Sequence, residues 1–237
     1  MSERFFAAGI GPDDLVRLEG DEAHHLAHVR RLRRGDPVRI FDGSGLECEA
    51  SVEDVGKRHV TLSISRRLTV DRELPFALTL ACSPPKGERL RWLVEKATEL
   101  GVTRFVPILT ERATEQVRGS RPEKMVRWVI EASKQCGRNV LMELAEPVPC
   151  IEYLKAVDPL DLSLLAQPGV EPLPAAMCRG PSQAVNVAVG PEGGFNEQEV
   201  QSARSRGWKL VSLGPRTLRV ETAALALAAW FALSEGR

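Results

Sequence analysis

The chain has no net charge: thirty-two basic residues stand against thirty-two acidic ones in 237. No global field draws it to nucleic acid or membrane, so any such partner must meet a local patch. Cysteine is sparse and unpaired. Cys48, Cys82, Cys136, Cys150 and Cys178 are odd in number and form no C-x-x-C pair, which argues against a disulfide framework or zinc ribbon and fits a reducing compartment. The opening "MSERFFAAGIGPDDLVRLEG" lacks the apolar run that directs export. The most apolar stretch, "AALALAAWFAL" at 223–233, is too short for a bilayer and reads as a buried helix. These absences predict a cytoplasmic protein whose apolar content suffices for a core. Internal repeats and low-complexity tracts are missing too.

What is present changes character near residue 70. Before it, after one short helical stretch, the signals are strand and turn: "PVRIF", "DGSG", "LECEASVEDV", "GKRH" and "VTLSI", whose Val60, Leu62 and Ile64 alternate with period two. Residues 1–70 are predicted to form a small β-barrel domain, closed by a charged linker at 65–75. In residues 71–237 strands and helices alternate, from "ALTLACS" and "GERLRWLVEKATELG" to "KLVSLG" and the final apolar helix. Alternation of this kind predicts an α/β domain with a mostly parallel sheet. Pro107 in "VTRFVPIL" cannot donate to a ladder, so that strand is expected to be interrupted or at an edge there.

The stretch "AVNVAVGPEGGFNEQEV", 184–200, reads as a buried strand, a glycine turn and a helix start in which Asn196 and Glu199 have capping-box spacing. Its glycines therefore lie at the carboxyl end of a parallel strand, where open α/β sheets bind ligands. Gly190, Gly193 and Gly194 permit a sharp turn and close backbone approach, while Pro191 stiffens it. The pattern is neither G-x-G-x-x-G nor a P-loop. Glu192 at its centre would repel a polyphosphate but accept a ligand that is uncharged or cationic nearby. S-adenosylmethionine, with a sulfonium and no phosphate, meets that requirement; a helix-entry turn whose Glu192 faces solvent or an arginine meets it as well. A second loop, in "LVSLGPRTLRVETAALALAAWFAL", repeats strand, turn and helix, and two such loops on neighbouring strands would converge on one pocket.

"GPEGGF" followed by "LGPRTLRVETAALALAA" resembles the paired signature of the RsmE family, 16S rRNA uracil-N3 methyltransferases of the SPOUT superfamily. "KGERLRWLVEKATELGV" and "EASKQCGR" are similar to its other C-terminal motifs, and "HHLAHVRRLRRGD" with "FDGSG" to its PUA-like N-terminal domain. The resemblance runs through nearly the whole chain; Val220 stands where the family commonly has Thr, and "GRNVLMEL" lacks the Pro often found after the arginine. It implies a PUA-like RNA-binding domain at 1–70 and, at 71–237, a SPOUT domain with a trefoil knot that holds S-adenosylmethionine. A homodimer acting on 16S rRNA or the small ribosomal subunit is implied as well. The cofactor residues it points to are Ala166, Gly190, Pro191, Glu192, Gly193, Gly194, Leu213, Gly214, Leu218, Thr222 and Ala223. A SPOUT enzyme acting at another RNA position, or a noncatalytic ribosome-assembly factor, is the alternative.

Uracil N3 is protonated at neutral pH and must lose its proton as it attacks the methyl carbon, so a base and a cation for the developing charge are expected. Arg219, Glu221 and Glu192 are the candidates: Arg219 is favoured for charge stabilisation, or braces the loop by pairing with one of the glutamates, and the base is left open. No metal is expected, because His24 and His28, four apart, have neither an H-E-x-x-H pattern nor a distant third ligand. In "DEAHHLAHVRRLRRGD" a helix is predicted from an Asp21 cap to a Gly35 stop, with Ala23, Leu26, Val29 and Leu32 facing the barrel. Arg30, Arg31, Arg33 and Arg34 then form a basic stripe for RNA phosphates, with Lys86 and Arg138 as further candidates.

Overall fold

The structure is a computed structural model and describes residues 3–113, 122–174 and 183–234; Cys178 lies outside the described residues. The chain forms two compact units, Met1–Glu73 with Ile130–Leu141, and Leu74–Val129 with Met142–Arg237.

In the first unit the strands are β1 (Glu3–Phe6), β2 (Leu15–Glu19), β3 (Pro37–Phe41), β4 (Leu46–Val55) and β5 (His59–Thr69), in one sheet ordered β1-β3-β4-β5-β2. The period-two reading of β5 holds: Val60, Leu62 and Ile64 are buried, against Phe5, Ile40 and Val52. The supposed linker is structured, since β5 continues to Thr69. Arg72 beyond it donates to Glu47 at 3.0 Å. Glu47 is fully buried, and Arg4 and Arg39 reach it as well, at 2.5 and 3.0 Å. Burial raises its carboxyl, but the hydrogen bonds from Arg4 and Arg72 outweigh that and hold it below its ordinary value.

The helix predicted between Asp21 and Gly35 is shorter. α1 spans Gly20–His24 with Glu19 as its cap residue, and a π-turn, His25–Val29, follows it. Arg30 donates its backbone N–H to the His25 carbonyl at 2.9 Å, and Arg31 then takes a φ of 56°, which ends the turn. Ala23 and Leu26 are buried as expected, but Val29 is 58% exposed because the wider turn carries it off the apolar face. Arg30 to Arg34 therefore lie beyond the helix end.

The second unit holds β6 (Leu78–Cys82), β7 (Arg104–Leu109), β8 (Glu143–Leu144), β9 (Val148–Pro149), β10 (Leu162–Ala166), β11 (Val185–Val189) and β12 (Lys209–Val211). The sheet runs β12-β10-β11-β6-β7-β8, with β9 also on β7, and every pairing in it is parallel. Pro107 does not interrupt β7. The interruption falls on its neighbour, since β8 pairs with β7 as far as Phe105 and β9 resumes at Ile108. β11 is buried throughout, and its one polar side chain, Asn186, is satisfied there: it donates to Asp161 at 3.2 Å and accepts from the Tyr153 hydroxyl at 3.4 Å. The helices are α2 (Glu88–Glu99), α3 (Pro122–Cys136), whose last turns from Ile130 group with the first unit, α4 (Cys150–Ala156), α5 (Glu197–Ser205) and α6 (Val220–Ser234). The spacing of Leu90, Leu93, Val94, Ala97 and Leu100 predicts one apolar face of α2; the first four are buried, while Leu100, at the C-terminal cap, is half-buried, and α6 buries Ala224, Leu227, Ala228 and Phe231. Among the described residues no helix is long and apolar enough to cross a membrane.

Candidate functional site

Three loops at the carboxyl ends of β10, β11 and β12 line one cleft, at the end of the sheet where open α/β folds bind ligands. The two glycine loops do not follow neighbouring strands: β10 lies between β11 and β12 and adds Ala166, Gln167 and Pro168. The loop after β11 turns tightly, with Gly194 N–H donating to the Pro191 carbonyl at 2.8 Å and Gly194 at a φ of 69°. A Cβ on Gly190 would come within 3.1 Å of the Phe195 ring, so glycine is needed for packing there. α5 then starts on the predicted capping box, with Asn196 Oδ1 accepting from Glu199 N–H at 2.7 Å and Glu199 Oε2 from Asn196 N–H at 2.8 Å. Glu199 Oε1 also accepts from Glu111 N–H at 3.1 Å, which ties the start of α5 to the chain beyond β7.

Of the predicted cofactor residues, Ala166, Gly190, Pro191, Glu192, Gly194, Leu213, Gly214, Leu218 and Ala223 line the cleft. Gly193 and Thr222 do not: the Gly193 carbonyl accepts from Arg112 at 3.0 Å, and Thr222 is exposed on α6. The lining is mostly apolar with little charge. Gln167 Oε1 is buried there without a partner, an acceptor suited to an amino or hydroxyl donor.

Glu192 is exposed and Glu221 is 6% exposed, at the first turn of α6. Arg89 of α2 lies 3.6 Å from Glu192 and 3.9 Å from Glu221, so it is Arg89 that braces the two loops. Arg219 is exposed and forms no ion pair among the described residues; its carbonyl accepts from Ala223 N–H at 2.9 Å as α6 begins. The bracing role considered for Arg219 thus falls to a residue 130 positions earlier, which no local signal in the sequence marks. Glu221 Oε2 is buried and unpartnered. Burial pushes the Cys82 thiol far above its ordinary value and the Glu221 charge adds to this, so Cys82 is not a thiolate nucleophile.

Residues 72–232 match the RNA methyltransferase domain family, and residues 18–65 the RNA methyltransferase PUA domain family. The chain is 35% identical over 223 residues to the ribosomal RNA small subunit methyltransferase E of Synechocystis, covering 90% of this chain and 73% of that protein. It is 30% identical over 219 residues to the Bacillus subtilis protein of the same name, covering 88% and 86%. The chain belongs to the RsmE family. A solved structure of the Neisseria gonorrhoeae ribosomal RNA small subunit methyltransferase E, bound to S-adenosyl methionine, is similar to it with a TM-score of 0.85. Identity there is 32%, over 97% of this chain and 96% of that one. The family places an RNA-binding question on the first unit, where the predicted basic residues fare unevenly.

Arg138 is buried and its guanidinium grips Glu73 through Nε at 2.9 Å and Nη2 at 2.5 Å, so it does not face a phosphate. Arg30 pairs with Glu3 at 3.2 Å and Arg34 with Glu53 at 2.6 Å, while the Arg33 backbone N–H donates to Asp36 at 2.7 Å. Arg31, Arg33 and Lys86 are exposed. Among the described residues no group of three or more His, Cys, Asp or Glu is arranged to hold a metal.

Proposed function

We propose that this chain transfers the methyl group of S-adenosylmethionine to N3 of a uridine in 16S small-subunit rRNA, with residues 1–70 as an RNA-binding domain and 71–237 as the catalytic one. The three-loop cleft carries this reading. Its glycine turns admit a ligand to bare backbone, and its buried Gln167 acceptor awaits a donor; Glu192 faces solvent and Arg89, so it does not by itself select a cationic ligand. When bound, S-adenosylmethionine supplies a methyl group already activated by its sulfonium, so no metal is called for.

The chain's own residues do the rest. The backbone of 190–194 and 213–218, with Ala166 and Ala223, would hold and orient the cofactor, and in-line positioning would supply most of the acceleration. Glu221, with one oxygen near Arg89 and the other free, is suited to take the N3 proton. Arg219 stands close by in sequence, unpaired among the described residues and exposed, and is suited to balance the negative charge that forms on the base. Arg89 holds Glu192 and Glu221 in place. Family membership supports a trefoil knot in the catalytic domain, a cytoplasmic location and a homodimer; exposed Trp92 and Leu233, on α2 and α6, are apolar side chains that a partner surface would cover.

The test is mass spectrometry of nucleosides from unmodified 16S rRNA or small subunits after incubation with protein and cofactor. We expect one 3-methyluridine per rRNA. A different methylated nucleoside, or none in either substrate, would overturn the assignment.

A further inference from the structure

In the first unit a groove of about 510 Å³ lies between the β2–α1 junction and the β4–β5 turn. Arg17, His24, His28, Lys57, Arg58 and His59 line it, together with a single carboxylate, Glu19, which Arg17 engages at 2.9 Å. Lys57 and Arg58 at the tip of the turn are exposed and form no ion pair among the described residues. The contrast with Arg30 and Arg34 is direct, because both of those arginines already hold a glutamate.

The histidines are placed as a set. The step from α1 into the π-turn leaves the His24 and His28 rings 4.9 Å apart and tilted by 42°. Across the groove, the His59 ring covers Gly56, where a Cβ would come within 2.8 Å of it, and its Nδ1 lies 3.2 Å from Arg17 Nη2. Flat rings beside unpaired cations combine the two features that bind single-stranded nucleic acid, stacking faces for bases and charge for the backbone. An acidic protein segment would use the cations but has no need of the rings.

We propose that this groove, and not the Arg30–Arg34 stripe, is where the first unit grips rRNA, with Lys57 and Arg58 on phosphates and the His24–His28 pair against an unpaired base. The inference rests on the RNA methyltransferase reading above. Because the whole chain is neutral, affinity comes from such a patch and falls with salt as counterions are displaced.

The experiment measures binding of in vitro transcribed 16S rRNA to the full-length protein across a salt series, with S-adenosylmethionine binding as the check on folding. We expect Lys57→Glu/Arg58→Glu to weaken RNA binding by about tenfold or more and to flatten the slope of log affinity against log salt by roughly 0.7 to 0.9 for each phosphate no longer neutralised. His24→Ala/His28→Ala should weaken binding with the salt slope unchanged, as removal of stacking does. Lys57→Ala/Arg58→Ala, which adds no new charge, should move affinity and slope in the same direction to a smaller extent. Wild-type affinity and slope in the folded lysine and arginine variants, with losses in Arg30→Glu/Arg34→Glu instead, would overturn the groove and leave the enzyme reading intact. If the wild type binds cofactor but no 16S rRNA under any condition, the groove and the substrate assignment fall together.

Discussion

The cleft of the second unit and the groove of the first are built on opposite plans. The cleft is shaped by backbone: three turns at the ends of adjacent parallel strands, glycine where the chain bends, and little charge on the lining. The groove is made of side chains, cationic and imidazole, brought together from β2, α1 and a turn some thirty residues further on. A site defined by backbone shape is written into consecutive residues. A site defined by charge depends on which distant acids find each cation, so the same arginine is a ligand in one setting and a structural partner in another.

The largest effect that sharpens this contrast belongs to Glu221, which lies beside the cleft at the first turn of α6 but not on its lining. If Glu221 takes the N3 proton, Glu221→Gln should lower turnover by roughly 10²- to 10⁴-fold while cofactor affinity stays close to wild type. Single-turnover methylation at saturating RNA and cofactor measures it. A turnover loss that tracks a loss of cofactor binding would make Glu221 part of the loop brace with Arg89, and the chemistry would pass to Glu192 or to bulk water.

Next in size comes Glu47, the buried counterpart of the open groove. Three arginines converge on this one carboxylate, so Glu47→Gln leaves them uncompensated and should cost about 3 to 5 kcal/mol of stability, read by denaturant unfolding. Its lowered pKa fixes the sign of the pH dependence. The stabilisation is fully present above the ordinary carboxylate range and is lost as the pH falls through the depressed folded value. The wild type should therefore lose more stability on acidification than Glu47→Gln, and the two curves should approach each other at low pH. Parallel curves would mean that the stabilisation by Glu47 is not tied to its ionisation.

The same difference explains what could be read in advance. The two glycine loops were legible because turn chemistry is local; the eleven cofactor positions were implied by the resemblance, and of these only Gly193 and Thr222 lie off the lining. β11, the capping box at Asn196 and the buried face of α2 were legible from periodicity and spacing. Arg89, Gln167 and the fate of the arginines were not. Arg89 meets Glu192 and Glu221 only once α2 and the two loops are in place, and Arg138 is taken by Glu73, sixty-five residues away. The π-turn that cuts the predicted helix short has no local sequence mark that distinguishes it from a helical turn. A moderate test of the local side is Gly194→Val. Nothing lies within 4 Å of its Cβ position, so the cost comes from forcing a branched residue to a φ of 69°, on the order of 1 to 3 kcal/mol. Cofactor affinity should fall by roughly tenfold or more, by calorimetry, in a variant whose circular dichroism matches the wild type.

The smallest effect probes why the Arg30–Arg34 stripe is silent. Arg34 is largely exposed and held by Glu53 at 2.6 Å, an arrangement that contributes at most about 1 kcal/mol to folding. Arg34→Ala should therefore leave the unfolding curve nearly unchanged and shift 16S rRNA affinity by less than about fivefold, well below the change from Lys57→Glu/Arg58→Glu. Glu53→Gln frees the arginine without moving it. If neutralisation by Glu53 is what separates Arg34 from the cations of the groove, this variant should bind RNA more tightly at low salt, by a factor of a few, and the gain should disappear as salt rises. Unchanged affinity at every salt concentration would instead mean that the stripe lies off the RNA path. Position, and not pairing, would then be what divides one set of cations in this unit from the other.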